Sequence, residues 1–125
     1  WGHAKDYVEG MWLMMQQEEP EDYVLSTGRK ISVRDFCSMA FKYLDINIKW
    51  VGVGKNEVGL DENGKVIVEI DPEYFRPTEV DQLLGDSTKA KNKLGWIPKY
   101  TVEDLCKEMV FSDYDKIYKL KSNGN

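Results

Sequence analysis

The sequence predicts a small α+β domain of about four helices, short strands and one β-hairpin, and three observations carry that expectation. Four stretches repeat apolar residues at helical spacing. Asn63-Gly64 sits between two β-rich runs, the signature of a hairpin turn. The regular strand–helix alternation of a complete nucleotide-binding sheet does not occur, so no Rossmann lobe is expected within this chain.

The first helix is expected over Ala4 to Gln16, with Ala4, Tyr7, Val8, Met11, Trp12, Met14 and Met15 on one broad face. The polar run QQEEPED closes it. Tyr23 to Thr27 (YVLST) is short and β-rich and predicts a buried strand; Gly28 and Arg29 make a loop. Ser32 is a suitable N-cap, with Asp35 three residues on, and the helix that follows carries Val33, Phe36, Cys37, Ala40, Phe41 and Leu44 on one stripe. Ile48 to Gly54 predicts a strand. Glu57 to Leu60 and Lys65 to Ile70 predict the hairpin, its turn at Asn63-Gly64 because both residues tolerate positive φ, and Asp71-Pro72 ends it. Arg76-Pro77 is a loop, since a residue before proline is pushed out of the helical region. A short helix is expected from Ser87 or Thr88 to Leu94, stopped by Gly95. The last helix starts at the cap Thr101, with Asp104 in the third position, and carries Val102, Leu105, Cys106, Met109 and Val110 on towards Tyr118. We expect residues 1–121 to form one lobe and residues 122–125 a disordered tail.

Composition excludes several classes of function. Hydrophobic residues make up 42% of the 125, enough for a core, and 22 acids against 17 bases leave a net charge of −5. Non-specific nucleic-acid binding needs a basic face that displaces counterions, so none is expected. No apolar run reaches the ~20 residues that span a bilayer, and WGHAKDYVEG has neither the basic leader nor the apolar run of a signal peptide. Cys37 and Cys106 each fall inside an amphipathic helical pattern. They read as small buried residues in a reducing, cytoplasmic setting, the alternative being a disulfide. The chain opens on Trp1 rather than Met and enters a helical pattern almost at once; we expect it to be a piece of a longer protein.

Chemistry-bearing motifs are few. Neither G-x-G-x-x-G nor G-x-x-x-x-G-K-[ST] occurs, and no metal site is expected, since the single histidine, His3, has no clustered ligand partners and suits the start of a helix. No Ser–His or Cys–His spacing suggests a nucleophile. What remains is Arg76-Pro77-Thr78-Glu79. A guanidinium donates two parallel charge-assisted bonds to a phosphate, and a carboxylate accepts from both vicinal hydroxyls of a ribose. On spacing alone an ordinary surface ion pair stays open.

Several stretches taken together resemble one family. WGHAKDYVEGMWLMMQ, PEDYVLSTG, SVRDF, NEVG, RPTEVDQLLGDSTKAKNKLGW and EDLCKEMV resemble, in order and spacing, the C-terminal half of the GDP-mannose 4,6-dehydratases, a branch of the extended short-chain dehydrogenase/reductases. STG with SVRDF, and GDSTKAKNKLGW, indicate only the superfamily; WGHAKDYVEGMW and RPTEVD are specific to the branch. The hairpin tip LDENGK and the last dozen residues carry no resemblance.

The resemblance implies a lyase that uses NADP to convert GDP-mannose to GDP-4-keto-6-deoxymannose, the first step towards GDP-fucose, and that assembles as a homodimer or homotetramer. It implies that Arg76 holds the diphosphate and Glu79 the ribose hydroxyls. The family's Tyr-x-x-x-Lys pair, its catalytic Thr and Glu and its cofactor loop belong to an N-terminal Rossmann lobe, so no catalytic or cofactor-binding residue is expected in this chain. YDKIYKLK is not a Tyr-x-x-x-Lys pair. The roles of Asp81, Trp1 and Gly2 stay open. Two alternatives are a lobe of a related NAD(P)-dependent nucleotide-sugar epimerase or reductase, and a free-standing domain that binds a protein through its Trp- and Met-rich first helix.

Overall fold

The computed structural model describes residues 1–76 and 83–122. Among these, four α-helices and a three-stranded antiparallel sheet give the expected α+β composition. In chain order they are α1 (Ala4–Met15), α2 (Val33–Lys42), β1 (Lys49–Val51), β2 (Val58–Leu60), β3 (Val66–Glu69), α3 (Thr88–Leu94) and α4 (Val102–Ser122), with a 3-10 turn at Gly54–Asn56. The chain divides into two compact units, Trp1–Ser32 with Gln82–Asn125, and Val33–Asp81.

In the first unit Ala90, Leu94 and Trp96 form a buried cluster, with Leu13, Met14, Tyr23 and Leu25 packed against it. A side chain the size of Leu94 fully withdrawn from water contributes roughly 1.5–3 kcal/mol. Helix α1 turns only part of its expected apolar face to this core, through Met14 and Tyr7. Its buried residues are Asp6 and Gly10, while Val8, Met11, Trp12 and Met15 are more than half exposed. The core accepts Gly10 because a Cβ there would lie 2.5 Å from Leu25 Cδ1 and 3.0 Å from Trp96 Nε1. The Asp6 carbonyl accepts the Trp96 indole N–H at 2.7 Å, and its carboxylate accepts the backbone N–H groups of Lys99 and Tyr100 at 3.0 and 3.1 Å. A polar residue is thus the hinge pin between α1 and the loop before α4. His3 caps α1 as its position suggested: Nδ1 accepts from the Lys5 N–H at 3.1 Å, and the ring stacks on Tyr100.

Both later helices end or begin as their sequences dictate. Gly95 takes the left-handed conformation at φ 68°, and the N–H groups of Gly95 and Trp96 return to the carbonyls of Lys91 and Ala90, closing α3. Thr101 and Asp104 bond reciprocally, Asp104 N–H to Thr101 Oγ1 and Thr101 N–H to Asp104 Oδ2, the capping box that starts α4. The expected strand at Tyr23 to Thr27 is not formed. Tyr23 and Leu25 reach the core and Val24 points out, the alternation of a strand, but no ladder partner pairs with the run among the described residues.

Glu21, on the connection after α1, accepts from Lys89 and Lys93 of α3 at 2.8 and 2.6 Å. These two ammonium groups, Lys89 first, lower its pKa from 4.5 to about 2. A carboxylate lowered in the folded state stabilises above its unfolded pKa, and that contribution is lost as pH falls from about 4.5 towards about 2. We expect Lys89→Met or Lys93→Met to raise the Glu21 midpoint towards 4.5, read by NMR of the side-chain carboxyl carbon. An unchanged midpoint in both variants would show that neither lysine sets it.

In the second unit the strands run β1-β2-β3, with Trp50 opposite Gly59 and Gly59 opposite Val68. Gly59 is buried, and a Cβ on it would meet Ile48 at 2.8 Å. The Trp50 indole donates to Ser38 Oγ of α2 at 2.8 Å, and Glu57 ion-pairs with Arg34 at 2.6 Å. The hairpin forms where expected, but by different turn chemistry. Asp61 Oδ1 accepts from the N–H groups of Asn63 and Lys65, and among the described residues of the turn only Gly64 takes positive φ, at 80°. An aspartate side chain closing on its own backbone replaces the expected pair of left-handed residues. Both cysteines are thiols, Cys106 buried and Cys37 half-buried, and burial raises the pKa of Cys37. No described helix is long and apolar enough to cross a membrane.

Candidate functional site

Arg76 stands at the end of the segment that leaves β3. Asp71 starts a tight turn there, its Oδ1 accepting from Glu73 N–H and its carbonyl from Tyr74 N–H. Tyr74, Phe75 and Arg76 follow with their side chains exposed. Glu79, the expected partner of Arg76, and Asp81 lie outside the described residues, so of the pair the structure places Arg76 alone. Exposure suits a guanidinium that meets a ligand from outside.

A small cavity of about 180 Å³ in the first unit was not anticipated from sequence. Trp1, Thr27, Arg29, Ile31 and the run Pro98–Val102 line it. Its polar groups are already engaged. The Trp1 indole donates to the Ile31 carbonyl and Thr27 Oγ1 to the Trp1 carbonyl, both at 3.0 Å. Arg29 grips Glu103 with two nitrogens, at 2.9 and 2.8 Å, which holds the Glu103 carboxyl below its ordinary range. Lys99 is paired with Glu9 at 2.6 Å, and that carboxylate raises the lysine. The signal that could have located this wall is scattered over three distant stretches, with no motif to join them.

Among the described residues, neither place holds a general base aimed at a nucleophile. No group of three or more His, Cys, Asp or Glu residues suited to a metal ion occurs among the described residues. The positive-φ glycines Gly28, Gly52, Gly54, Gly64 and Gly95 lie in loops, a turn and a helix end, none of them directly opening an α-helix. The described residues therefore do not fit the diphosphate cradle of a dinucleotide, which needs glycines leading straight into a helix N-terminus.

The sequence model of the GDP-mannose 4,6 dehydratase family matches residues 1–109. The human GDP-mannose 4,6 dehydratase is 53% identical over 116 residues, which are 92% of this chain and 31% of the human protein. GDP-mannose 4,6 dehydratase 2 of Caenorhabditis elegans is 52% identical over 113 residues, 90% of this chain and 30% of its own. The GDP-mannose 4,6-dehydratase of Yersinia enterocolitica is 48% identical over 138 residues, 99% of this chain and 37% of its own. The chain spans about a third of the length of these curated relatives.

Proposed function

This chain belongs to the GDP-mannose 4,6 dehydratase family, and from that premise we propose that it is the nucleotide-sugar-binding lobe of such an enzyme. The observation that supports this most is the family match itself, which runs through both Arg76 and Glu79. The whole enzyme removes water from GDP-mannose to give GDP-4-keto-6-deoxymannose, in the cytoplasm, as a homodimer or homotetramer. NADP would be held by the N-terminal Rossmann lobe, whose cradle the described residues here do not supply, and would provide the hydride chemistry there. This lobe, residues 1–121, contributes no catalytic group. Its part is to hold the substrate: Arg76 takes the diphosphate by two parallel bonds and Glu79 takes the ribose hydroxyls. The exposed stripe Val8, Met11, Trp12 and Met15 of α1 meets other parts of the enzyme.

The test is calorimetric titration of the full-length, catalytically inert enzyme with GDP-mannose. A charge-assisted bond contributes roughly 1.5–3 kcal/mol, so Arg76→Ala should weaken binding on the order of tenfold to a hundredfold. Arg76→Lys should lose less, since it keeps the charge without the fork. Glu79→Gln should lose least, because its amide oxygen still accepts. NADP affinity should not change. Arg76→Ala binding GDP-mannose like the unmodified enzyme would make this segment a structural loop.

A further inference from the structure

We propose that residues 33–81 form a clamp that opens and closes as one unit, separately from the rest of the chain, and that the diphosphate of a nucleotide closes it through Arg76. The coupling to a ligand rests on the assignment of Arg76 to the diphosphate made above. The chain divides into Val33–Asp81 and the remainder, and the two differ in what holds them. Ala90, Leu94, Trp96, Val102 and Cys106, the buried apolar residues among those described, all belong to the remainder. Within residues 33–76 the one buried residue is Gly59, which has no side chain. Phe36, Phe41, Ile48, Trp50 and Ile67 are only half-buried. Helix α2 buries none of its residues, and the strands are three or four residues long. A part of a chain that hides little apolar surface loses little when it opens, so it opens before the parts that hide more.

Two polar contacts bolt α2 to the sheet. The Trp50 indole of β1 donates to Ser38 Oγ of α2 at 2.8 Å. Arg34 of α2 meets Glu57, one residue ahead of β2, at 2.6 Å, and the Glu57 side chain is only 14% exposed. Hydrogen bonds weaken steeply with distance and angle, whereas apolar contact fades gradually. These two contacts therefore act as latches: each is made in the closed unit and lost early as α2 leaves the strands.

Arg76 leaves β3 by way of the turn that Asp71 starts, so this unit carries it. A diphosphate gripped by the guanidinium while the sheet holds that turn in place binds the closed form and not the open one. Such a ligand shifts the equilibrium towards the closed unit by the factor 1 + [L]/Kd.

The experiment is amide hydrogen exchange. In this chain the slowest amides of α2 and of β1 to β3 should exchange at least about tenfold faster than the slowest of α1 and of α4 around Cys106. Ser38→Ala leaves the Trp50 indole N–H without its acceptor and should speed exchange across residues 33–76 about tenfold, with α1 and α4 unchanged. Glu57→Gln removes an ion pair whose arginine is half exposed and should speed it about threefold. In the full-length, catalytically inert enzyme, GDP at ten times its dissociation constant should slow exchange across the same residues about tenfold. Arg76→Ala at the same GDP concentration should lose that slowing and keep the rates seen without GDP. Equal rates in the two units, or latch variants that speed both alike, overturn the separate opening. GDP that binds by calorimetry yet leaves the rates unchanged overturns the coupling and keeps Arg76 as a ligand. GDP that does not bind overturns the role of Arg76 itself, and the coupling with it.

Discussion

Replacing Asp6 by alanine should lower the stability of the first unit by roughly 2–6 kcal/mol. Asp6 is 2% exposed, and its two carboxylate oxygens accept the backbone N–H groups of Lys99 and Tyr100. Alanine leaves both donors without an acceptor, each costing about 1–3 kcal/mol when kept from water. The bond from the Trp96 indole survives, because it goes to the Asp6 backbone carbonyl. Asp6→Asn should fall between: one oxygen remains, but the amide NH₂ then faces a backbone N–H. The measurement is thermal unfolding followed by Trp fluorescence, where the alanine variant should melt about 10 °C or more below the unmodified chain. Equal melting of the aspartate, asparagine and alanine forms would mean that the loop at Lys99 and Tyr100 holds its place without the carboxylate.

The second large effect belongs to the other unit. Gly52→Ala should cost on the order of 3 kcal/mol or more, since it meets two obstacles at once. The backbone there has φ +89°, and an added Cβ would lie 2.3 Å from the carbonyl oxygen of Asn56. That neighbour is main chain, held in the 3-10 turn Gly54–Asn56 that joins β1 to β2, so it cannot swing aside as a side chain would. Amide hydrogen exchange should show protection lost across β1, β2 and β3 while α1 and α3 keep theirs. Gly54→Ala is the control: φ is also positive, at +57°, but a Cβ there meets nothing within 4 Å, so its loss should be no more than about 1–2 kcal/mol. Equal loss in the two variants would assign the effect to φ alone.

What the sequence makes legible is local. The Thr101–Asp104 box, the glycine stop at Gly95 and the hairpin around Gly64 are each written in fewer than six consecutive residues, and each forms. The helices follow from periodicity for the same reason. The failures share a cause as well. Tyr23 to Thr27 has the composition of a strand, yet a strand is a relation between two segments, and no partner pairs with it among the described residues. The cavity beside Trp1 is assembled from residues nearly a hundred positions apart, and no spacing announces it. Arg76 and Glu79 were legible as chemistry, a fork and an acceptor on a stiff segment, while their geometry is not, since Glu79 lies outside the described residues.

Helix α1 carries a consequence for substitution tolerance. Hydropathy ranks Val8, Met11, Trp12 and Met15 as its most constrained positions and His3, Asp6 and Gly10 as its least. Within this chain the order runs the other way. The four apolar residues are more than half exposed, so the core beneath them does not register a change there. The histidine, the carboxylate and the missing side chain are, with Leu13 and Met14, among the points at which the helix touches the rest of its unit. A mutational scan of this chain alone would find the polar and glycine sites intolerant and the apolar sites permissive. The same scan in an assembled enzyme would find both sets intolerant, and the difference between the two scans would outline the surface that assembly covers.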